Sequence, residues 1–338
     1  MLRVPEKSTG RLRHTPYTSP MKKTPYQMLS ALLLSCFVSG CPGFPVGEES
    51  DAGDSNQSAD AGSEPSRYPA PRDDLTAALG SDTTLDLATW NIENFPKATT
   101  TAEFLADLIT SMDLDIIGVQ EIANENGFQE LLDRLPNYDG VLSSHTYSDG
   151  SYQKVGFIYK KDVVSLSDTS LIFSGSGYNF PRPPLQTTVS VLDGDTVVRE
   201  LTLIVLHLKA GVDQESSQRR TDAMVTLEGY LDSQVSGPGL DDIVVLGDFN
   251  DVLTNSFGLA VFAPFQTDAY TIHTLELAES GGESYLPSDS ILDHIISTSS
   301  ISDIFNPATI PDFEREFWNY EQTVSDHLPV VISLPNTP

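Results

Sequence analysis

The strongest constraint on this chain is a repeated placement: one short β-type run after another is bounded by a carboxylate, an amide or an imidazole. Asn91 follows Leu87-Ala88-Thr89-Trp90, Glu121 follows Ile116-Ile117-Gly118-Val119-Gln120, and His207 follows Leu203-Ile204-Val205-Leu206. Asp248 and Asn250 come after Val244-Val245-Leu246-Gly247. Toward the C-terminus, Asp293-His294 stands just ahead of Ile295-Ile296, and Asp326-His327 just ahead of Leu328-Pro329-Val330. A lone polar residue in such a place is ordinarily a cap or turn residue. Repetition changes that reading. If the strands lie side by side, these ends meet at one edge of a sheet core as a cluster of Glu, Asp, Asn and His.

The runs themselves are short and rich in β-branched residues, at 85–90, 116–119, 155–159, 187–192, 201–206, 243–246, 295–296 and 329–334. Their lengths predict strands. Apolar residues at three- and four-residue spacing predict helices over 102–111, 127–135 and 217–233. Mixed strands and helices over about 250 residues predict a layered α/β or α+β domain, and no internal repeat is visible.

Charge narrows the chemistry. The 338 residues carry 48 Asp and Glu against 19 Lys and Arg, a net of -29, and residues 87–338 alone hold 37 acidic and 11 basic side chains by direct count. That balance excludes a wide surface that grips nucleic acid by neutralising phosphates. The two cysteines, Cys36 and Cys41, lie near the N-terminus, which excludes a cysteine zinc site or a disulfide in the globular part. A cluster of carboxylates short of cations repels itself unless neutralised. Oxygen donors without sulfur suit Mg²⁺ or Mn²⁺, and a metal so held, with histidines nearby, suits phosphate-ester hydrolysis.

The front of the chain reads as targeting sequence. Met21-Lys22-Lys23 is basic, residues 28–38 are apolar but too short to span a bilayer, and Val38-Ser39-Gly40-Cys41 resembles the lipobox of bacterial lipoproteins. Residues 1–41 are therefore expected to be a signal region starting at Met21, with Cys41 acylated; an ordinary secretory signal with an incidental Cys41 is the alternative. Residues 42–86, dominated by Ser, Gly, Ala, Asp, Glu and Pro, are expected to form a disordered acidic tether. Residues 87–338 are the expected catalytic domain, lipid-anchored at the cell envelope outside the cytoplasm, and monomeric.

Taken together, the motifs resemble the endonuclease/exonuclease/phosphatase superfamily, in its deoxyribonuclease-like branch. The matching pieces are Thr89-Trp90-Asn91-Ile92-Glu93, Val119-Gln120-Glu121-Ile122, His207-Leu208-Lys209, Gly247-Asp248-Phe249-Asn250, Leu292-Asp293-His294-Ile295 and Ser325-Asp326-His327-Leu328-Pro329, in the family's order. The resemblance implies a four-layer αββα sandwich of two mixed sheets flanked by helices. It implies metal binding by Glu121 and Asn91, with Asp326 as a further ligand. Asp248 and Asn250 would position the attacking water and hold the scissile phosphate. His327 would act as base or phosphate donor, oriented by Asp293. His207 would be the general acid, and Arg182 would contact phosphate.

Two positions depart from the branch. Where it carries a glutamate that pairs with the second histidine, this chain has Gln153, beside Lys154, and Gln153 is expected to orient His207 but to stabilise its protonated form less. Glu93 falls where only some members carry an acidic neighbour of the metal. Lys209, Arg219 and Arg220 are a candidate positive rim, although a helix points two successive arginines about 100° apart. His145, His273 and His294 are read as structural or surface residues, and Trp90 and Trp318 as core.

The expected function is a secreted, membrane-tethered, metal-dependent phosphodiesterase, a nuclease with nucleic acid as partner. A hydrolase of phospholipid or sugar-phosphate head groups keeps the chemistry and changes the substrate. A catalytically dead surface-binding lipoprotein is the third reading, opposed by the complete motif set.

Overall fold

Alternate residues of each central strand enter different cores, and this alternation builds the layers. The structure, a computed structural model, describes residues 68–237, 239, 241–313, 315 and 319–336. The signal-like segment, Cys41 and Trp318 lie outside the described residues. One sheet contains β1 (Thr84–Phe95), β2 (Ile116–Ile122), β3 (Tyr138–Leu142), β4 (Lys154–Lys160) and β11 (Val330–Pro335), in the order β11-β1-β2-β4-β3. The other contains β5 (Val164–Leu171), β6 (Leu185–Asp193), β7 (Thr196–His207), β8 (Ile243–Asp248), β9 (Tyr270–Ile272) and β10 (Asp293–Thr298), in the order β5-β6-β7-β8-β10-β9.

Leu85 and Leu87 of β1 pack with Leu203, Val205, Val244 and Leu246 of the second sheet, forming the core between the sheets. Ala88, Trp90 and Ile92 turn the other way, onto α1 (Thr101–Met112) and α2 (Glu125–Arg134). On the far side, Ile204, Leu206, Ile243 and Val245 pack against Ala223, Met224, Leu227 and Leu231 of α3 (Gln214–Val235). Strands buried on both faces read as continuous apolar runs, as 243–246 does. The product is the αββα sandwich of two mixed sheets.

Register then explains the strand-end pattern. β1 and β2 run parallel, as do β7 and β8, with His207 paired to Asp248. β10 runs antiparallel to β8 with Asp293 opposite Asp248, and β11 antiparallel to β1 with Val330 opposite Thr89. An antiparallel strand enters a sheet at the edge where its neighbour leaves it. Residues that follow β1, β2, β7 and β8 therefore share an edge with residues that precede β10 and β11.

The strands and helices expected from sequence are present; among the described residues the structure adds the strands β3, β5 and β9 and four short helices, at Ser256–Val261, Leu275–Glu279, Ser299–Ser302 and Tyr320–Thr323. Residues 68–86, expected to belong to the tether, are instead part of the domain, while 42–67 lie outside the described residues. Leu75 and Leu79 pack onto the α1/α2 core, the Arg72 amide donates to Asp107 Oδ1 at 2.9 Å, and the Leu79 amide donates to the Met112 carbonyl at 2.9 Å. Two leucines in this otherwise polar segment supply enough apolar surface to hold it on the domain.

Candidate active site

At the shared edge the strand ends open into a cleft of about 730 Å³, whose lining includes Glu93, Glu121, Asp248, Asn250, Asp326 and His327. The backbone is held in sparsely populated conformations here: Glu93, Asn94, Glu121 and Asn250 all have positive φ, between 30° and 63°. Left-handed backbone at non-glycine residues costs of order 1 kcal/mol or more each, and such residues cluster where a fold must aim side chains. Gly247, with φ +155°, has no such freedom to spare: a Cβ there would lie 2.1 Å from the Leu206 carbonyl oxygen of the adjacent strand.

The carboxylates and amides form a connected floor. Asn91 Nδ2 donates to Asp248 Oδ2 at 3.0 Å and to Glu121 Oε1 at 3.3 Å. Glu121 Oε2 accepts from the Asn94 amide at 3.0 Å and from Gln153 Nε2 at 3.3 Å. Asp248 Oδ1 accepts from the Asn250 amide at 2.8 Å, a turn that fixes the two residues relative to one another. Asp326 is joined through its amide to Glu93 Oε2 at 2.9 Å, and Glu93 pairs with Lys97.

His327 is the centre of the opposite wall. Its Nδ1 donates to Asp293 Oδ2 at 2.7 Å, leaving Nε2 3.9 Å from both Asp248 Oδ2 and Asp326 Oδ1. The Ser284 hydroxyl donates to the same Asp293 oxygen, also at 2.7 Å. The Ser325 hydroxyl bridges the Asn91 carbonyl and the His327 amide, tying β1 to the histidine loop. Tyr285 lays its ring against the imidazole at a centroid distance of 4.8 Å.

Electrostatics follows from burial and crowding. Burial works to lower the pKa of His327, but Asp293, Asp248 and Asp326 outweigh it and push it up to about 10, so the ring is an imidazolium at neutral pH. Burial raises Asp248 to about 7, against the pull of His327. Burial likewise raises Asp326 to about 6. His207 moves the other way: burial, reinforced by Arg182 and His327, holds it well below its usual 6.5.

His207, Arg182 and Gln153 depart from the roles expected of them. His207 Nε2 faces Asp248 Oδ2 at 3.4 Å and Glu121 Oε1 at 3.8 Å, but Nδ1 is buried with no hydrogen-bond partner among the described residues. Gln153 does not orient it; its amide bonds Asn94, Glu121 and Arg182 instead. A neutral imidazole whose Nδ1 has no carboxylate to steady its protonated form is a hydrogen-bond donor rather than a proton source at pH 7. Arg182 is buried, and its guanidinium donates to the His207 carbonyl at 3.3 Å, the Leu208 carbonyl at 2.7 Å and Gln153 at 3.0 Å. Those bonds brace the loop after β7 rather than present a cation to the cleft.

The expected positive rim is also spent internally. Arg220 reaches the cleft but pairs with Asp251 Oδ2 at 2.9 Å and donates to the Lys209 and Gly211 carbonyls at 2.8 Å. Arg219 bonds the Tyr178 carbonyl at 2.7 Å, and Lys209 bonds its neighbour's carbonyl. Ser284, Tyr285 and Asp251 were not singled out from sequence. Asp251 directly follows the Gly-Asp-Phe-Asn motif, which was the available signal; Ser284 and Tyr285 carry none outside their three-dimensional setting. His294 and His273 are structural as expected: His294 is bonded by the Thr274 hydroxyl and the Asp251 carbonyl, and His273 by Ser297. Trp90 is core as expected.

Among the described residues, no three His, Cys, Asp or Glu side chains form a ready cage for a cation. The donors are sparser: the Glu121 carboxylate, the Asn91 amide, and Asp326, whose Oδ1 is buried without a partner. Mg²⁺ is typically held by one or two carboxylates while keeping several of its waters, and the Glu121 and Asp326 carboxylates fit that mode; Asn91 would join them through its Oδ1, which here accepts from the Glu93 amide at 3.0 Å.

Comparison with known proteins gives concordant results. The sequence pattern of the endonuclease/exonuclease/phosphatase family matches residues 88–327. Human deoxyribonuclease-1 is 24% identical over 288 residues, covering 77% of this chain and 95% of its own. A deoxyribonuclease of Thioalkalivibrio sp. (strain K90mix) is 23% identical over 265 residues, covering 73% of this chain and 70% of its own. The catalytic domain of human Nocturnin, solved with a bound sulfate anion, superposes with a TM-score of 0.57 at 19% identity, over 78% of this chain and 98% of that one.

Proposed function

The chain belongs to the endonuclease/exonuclease/phosphatase family, and from that premise we propose that it is a divalent-cation-dependent nuclease held at the cell envelope through an acylated Cys41. A phosphoric ester hydrolase is the coarser statement that family membership and the deoxyribonuclease relatives support. The observation that carries the reading is the convergence of Glu121, Asp248, Asn250 and the His327–Asp293 pair on one cleft.

Glu121 and Asn91, with Asp326 beside them, would hold the cation, Mg²⁺ or Mn²⁺, which supplies compensation for charge developing on the phosphate. This chain's own groups divide the remaining work. Asp248, with its pKa raised to about 7, is matched to taking the proton of an attacking water at neutral pH. His327, an imidazolium steadied by Asp293, donates a hydrogen bond to a phosphate oxygen. Asn250, fixed by its bond to Asp248, completes the cradle. As the oxygen of water bonds to phosphorus and its proton passes to Asp248, the bond to the leaving oxygen breaks on the opposite side, and that oxygen takes up a proton from solvent.

Phospholipid and sugar-phosphate head groups remain the competing substrates. The purified protein should be assayed with Mg²⁺ on DNA, RNA, sphingomyelin and inositol phosphates, at low and high salt. Cleavage of nucleic acid supports the reading, and turnover confined to lipid or sugar phosphates replaces it. The anchor rests on Val38-Ser39-Gly40-Cys41, outside the described residues.

A further inference from the structure

One large aromatic side chain stands in the cleft without a structural task. Phe257 is 65% exposed and lines the cleft, seven residues beyond Asn250 at the start of the short helix that follows the β8 loop. Its backbone is firmly held. The Asn255 side chain accepts from the Phe257 amide at 2.9 Å and from the Gly258 amide at 2.8 Å, capping α4 (Ser256–Val261). Gly258 packs so closely on the Val252 carbonyl that a Cβ there would lie 1.5 Å from its oxygen. A rigid turn thus presents an apolar ring to the cleft. Val212, fully exposed on the loop after β7, lines the same cleft.

The charges around this ring limit what it can receive. Six carboxylates line the cleft against one guanidinium, and that guanidinium, Arg220, is paired with Asp251. A cleft so charged has no means of following the two phosphate backbones of a duplex, because tight duplex binding draws on several free Lys or Arg side chains. Sequence-tolerant binding of single strands adds to the charge term a second one that a duplex cannot use, the stacking of bases on aromatic rings. In a duplex the bases are stacked on each other and unavailable to a ring on a cleft wall. The cleft volume of about 730 Å³ suits a ligand of nucleotide size.

We infer that Phe257 is a specificity-determining residue, a stacking platform for one unpaired nucleobase beside the scissile phosphate, and that the substrate is single-stranded nucleic acid. This rests on the nuclease reading above and adds the strand preference and the residue that sets it.

The test uses the purified protein with Mg²⁺ and a labelled single-stranded oligothymidylate, in parallel with the same strand carrying one tetrahydrofuran abasic residue scanned past the cleavage site. Phe257→Ala should raise KM about 5- to 150-fold, the equivalent of one lost base–aromatic stack, while kcat changes little. Phe257→Trp should restore KM. In wild type, the abasic residue at one position should raise KM by a similar factor, and it should add nothing in Phe257→Ala. The dependence of KM on salt should be shallow, since few phosphates are neutralised. An unchanged KM in Phe257→Ala, or abasic and Phe257→Ala losses that multiply, overturns the stacking role and leaves the nuclease reading intact. A preference for duplex overturns the strand assignment. A wild type that hydrolyses bis(p-nitrophenyl) phosphate but no nucleic acid overturns both readings.

Discussion

His327 Nδ1 lies 2.7 Å from Asp293 Oδ2, and the Ser284 hydroxyl donates to that same oxygen. The imidazole is therefore locked in one orientation by a carboxylate that is itself held in place, with Nε2 facing the cleft. If the two residues act as one unit, their losses cannot multiply. His327→Ala should lower kcat by about 10²–10⁴-fold, and Asp293→Asn nearly as much. The double variant should be little worse than His327→Ala alone. Steady-state rates on one substrate, with circular dichroism as the fold control, decide it; losses that multiply in full would mean that the pair does not cooperate.

Gly247 yields a stability prediction. An added Cβ would meet the Leu206 carbonyl oxygen at 2.1 Å, one pair before the site end of the β7–β8 pairing. Neither strand can move without disturbing the core between the sheets. Gly247→Ala should lose at least ~2 kcal/mol, read as a lower denaturant midpoint. A wild-type midpoint would show that the contact relaxes freely.

The buried His294 gives a pH dependence with a definite sign. Burial lowers its pKa from 6.5 to about 4, so between those values the unfolded chain binds more protons than the folded one. Its contribution to stability is complete above pH ~6.5 and is lost as the pH falls toward ~4, to about 3 kcal/mol in total. Asp115, raised by burial to about 6, acts in the opposite direction over part of that window. The proper readout is therefore the difference between wild type and His294→Asn. That difference should shrink as the pH is lowered, and a constant difference from pH 7 to 4 would exclude a neutral, buried His294.

The architecture was legible where burial on two faces writes continuous apolar runs, as in β8, and where helices show one apolar stripe, as in α1. The polar strand ends were legible because register, not local propensity, gathers them, so their recurrence alone carried the signal. The missed strands are explained by their surroundings. β5 is an edge strand whose Ser165–Ser170 stretch has few apolar residues, with burial alternating only weakly. β3 carries Asp139 and Gly140, residues depleted in strands, and is also at an edge. Arg182 and Gln153 were misplaced for a different reason. Sequence shows that a cation and an amide are near the site, but which acceptors they reach is set by loop geometry. The same holds for Ser284, whose bond to Asp293 spans nine residues and a tight turn.

The anchor has its own test. Metabolic labelling with a tagged fatty acid should mark the wild type, and Cys41→Ser should lose the label. Undiminished labelling of Cys41→Ser would rule out acylation at that residue.

The most direct measurement of the central claim is the single-turnover cleavage rate of a labelled single strand after exhaustive chelation, followed by titration with Mg²⁺ or Mn²⁺, for wild type and Glu121→Gln. Removing the Glu121 carboxylate, which shares the Asn91 amide with Asp248, should cripple cation binding, because a neutral amide leaves little negative charge among the donors. The account predicts no cleavage by the chelated wild type, full recovery with added cation, and a rate at least ~10²-fold lower for Glu121→Gln. Undiminished cleavage by the chelated wild type, or a Glu121→Gln variant as fast as wild type at low cation concentration, would contradict it.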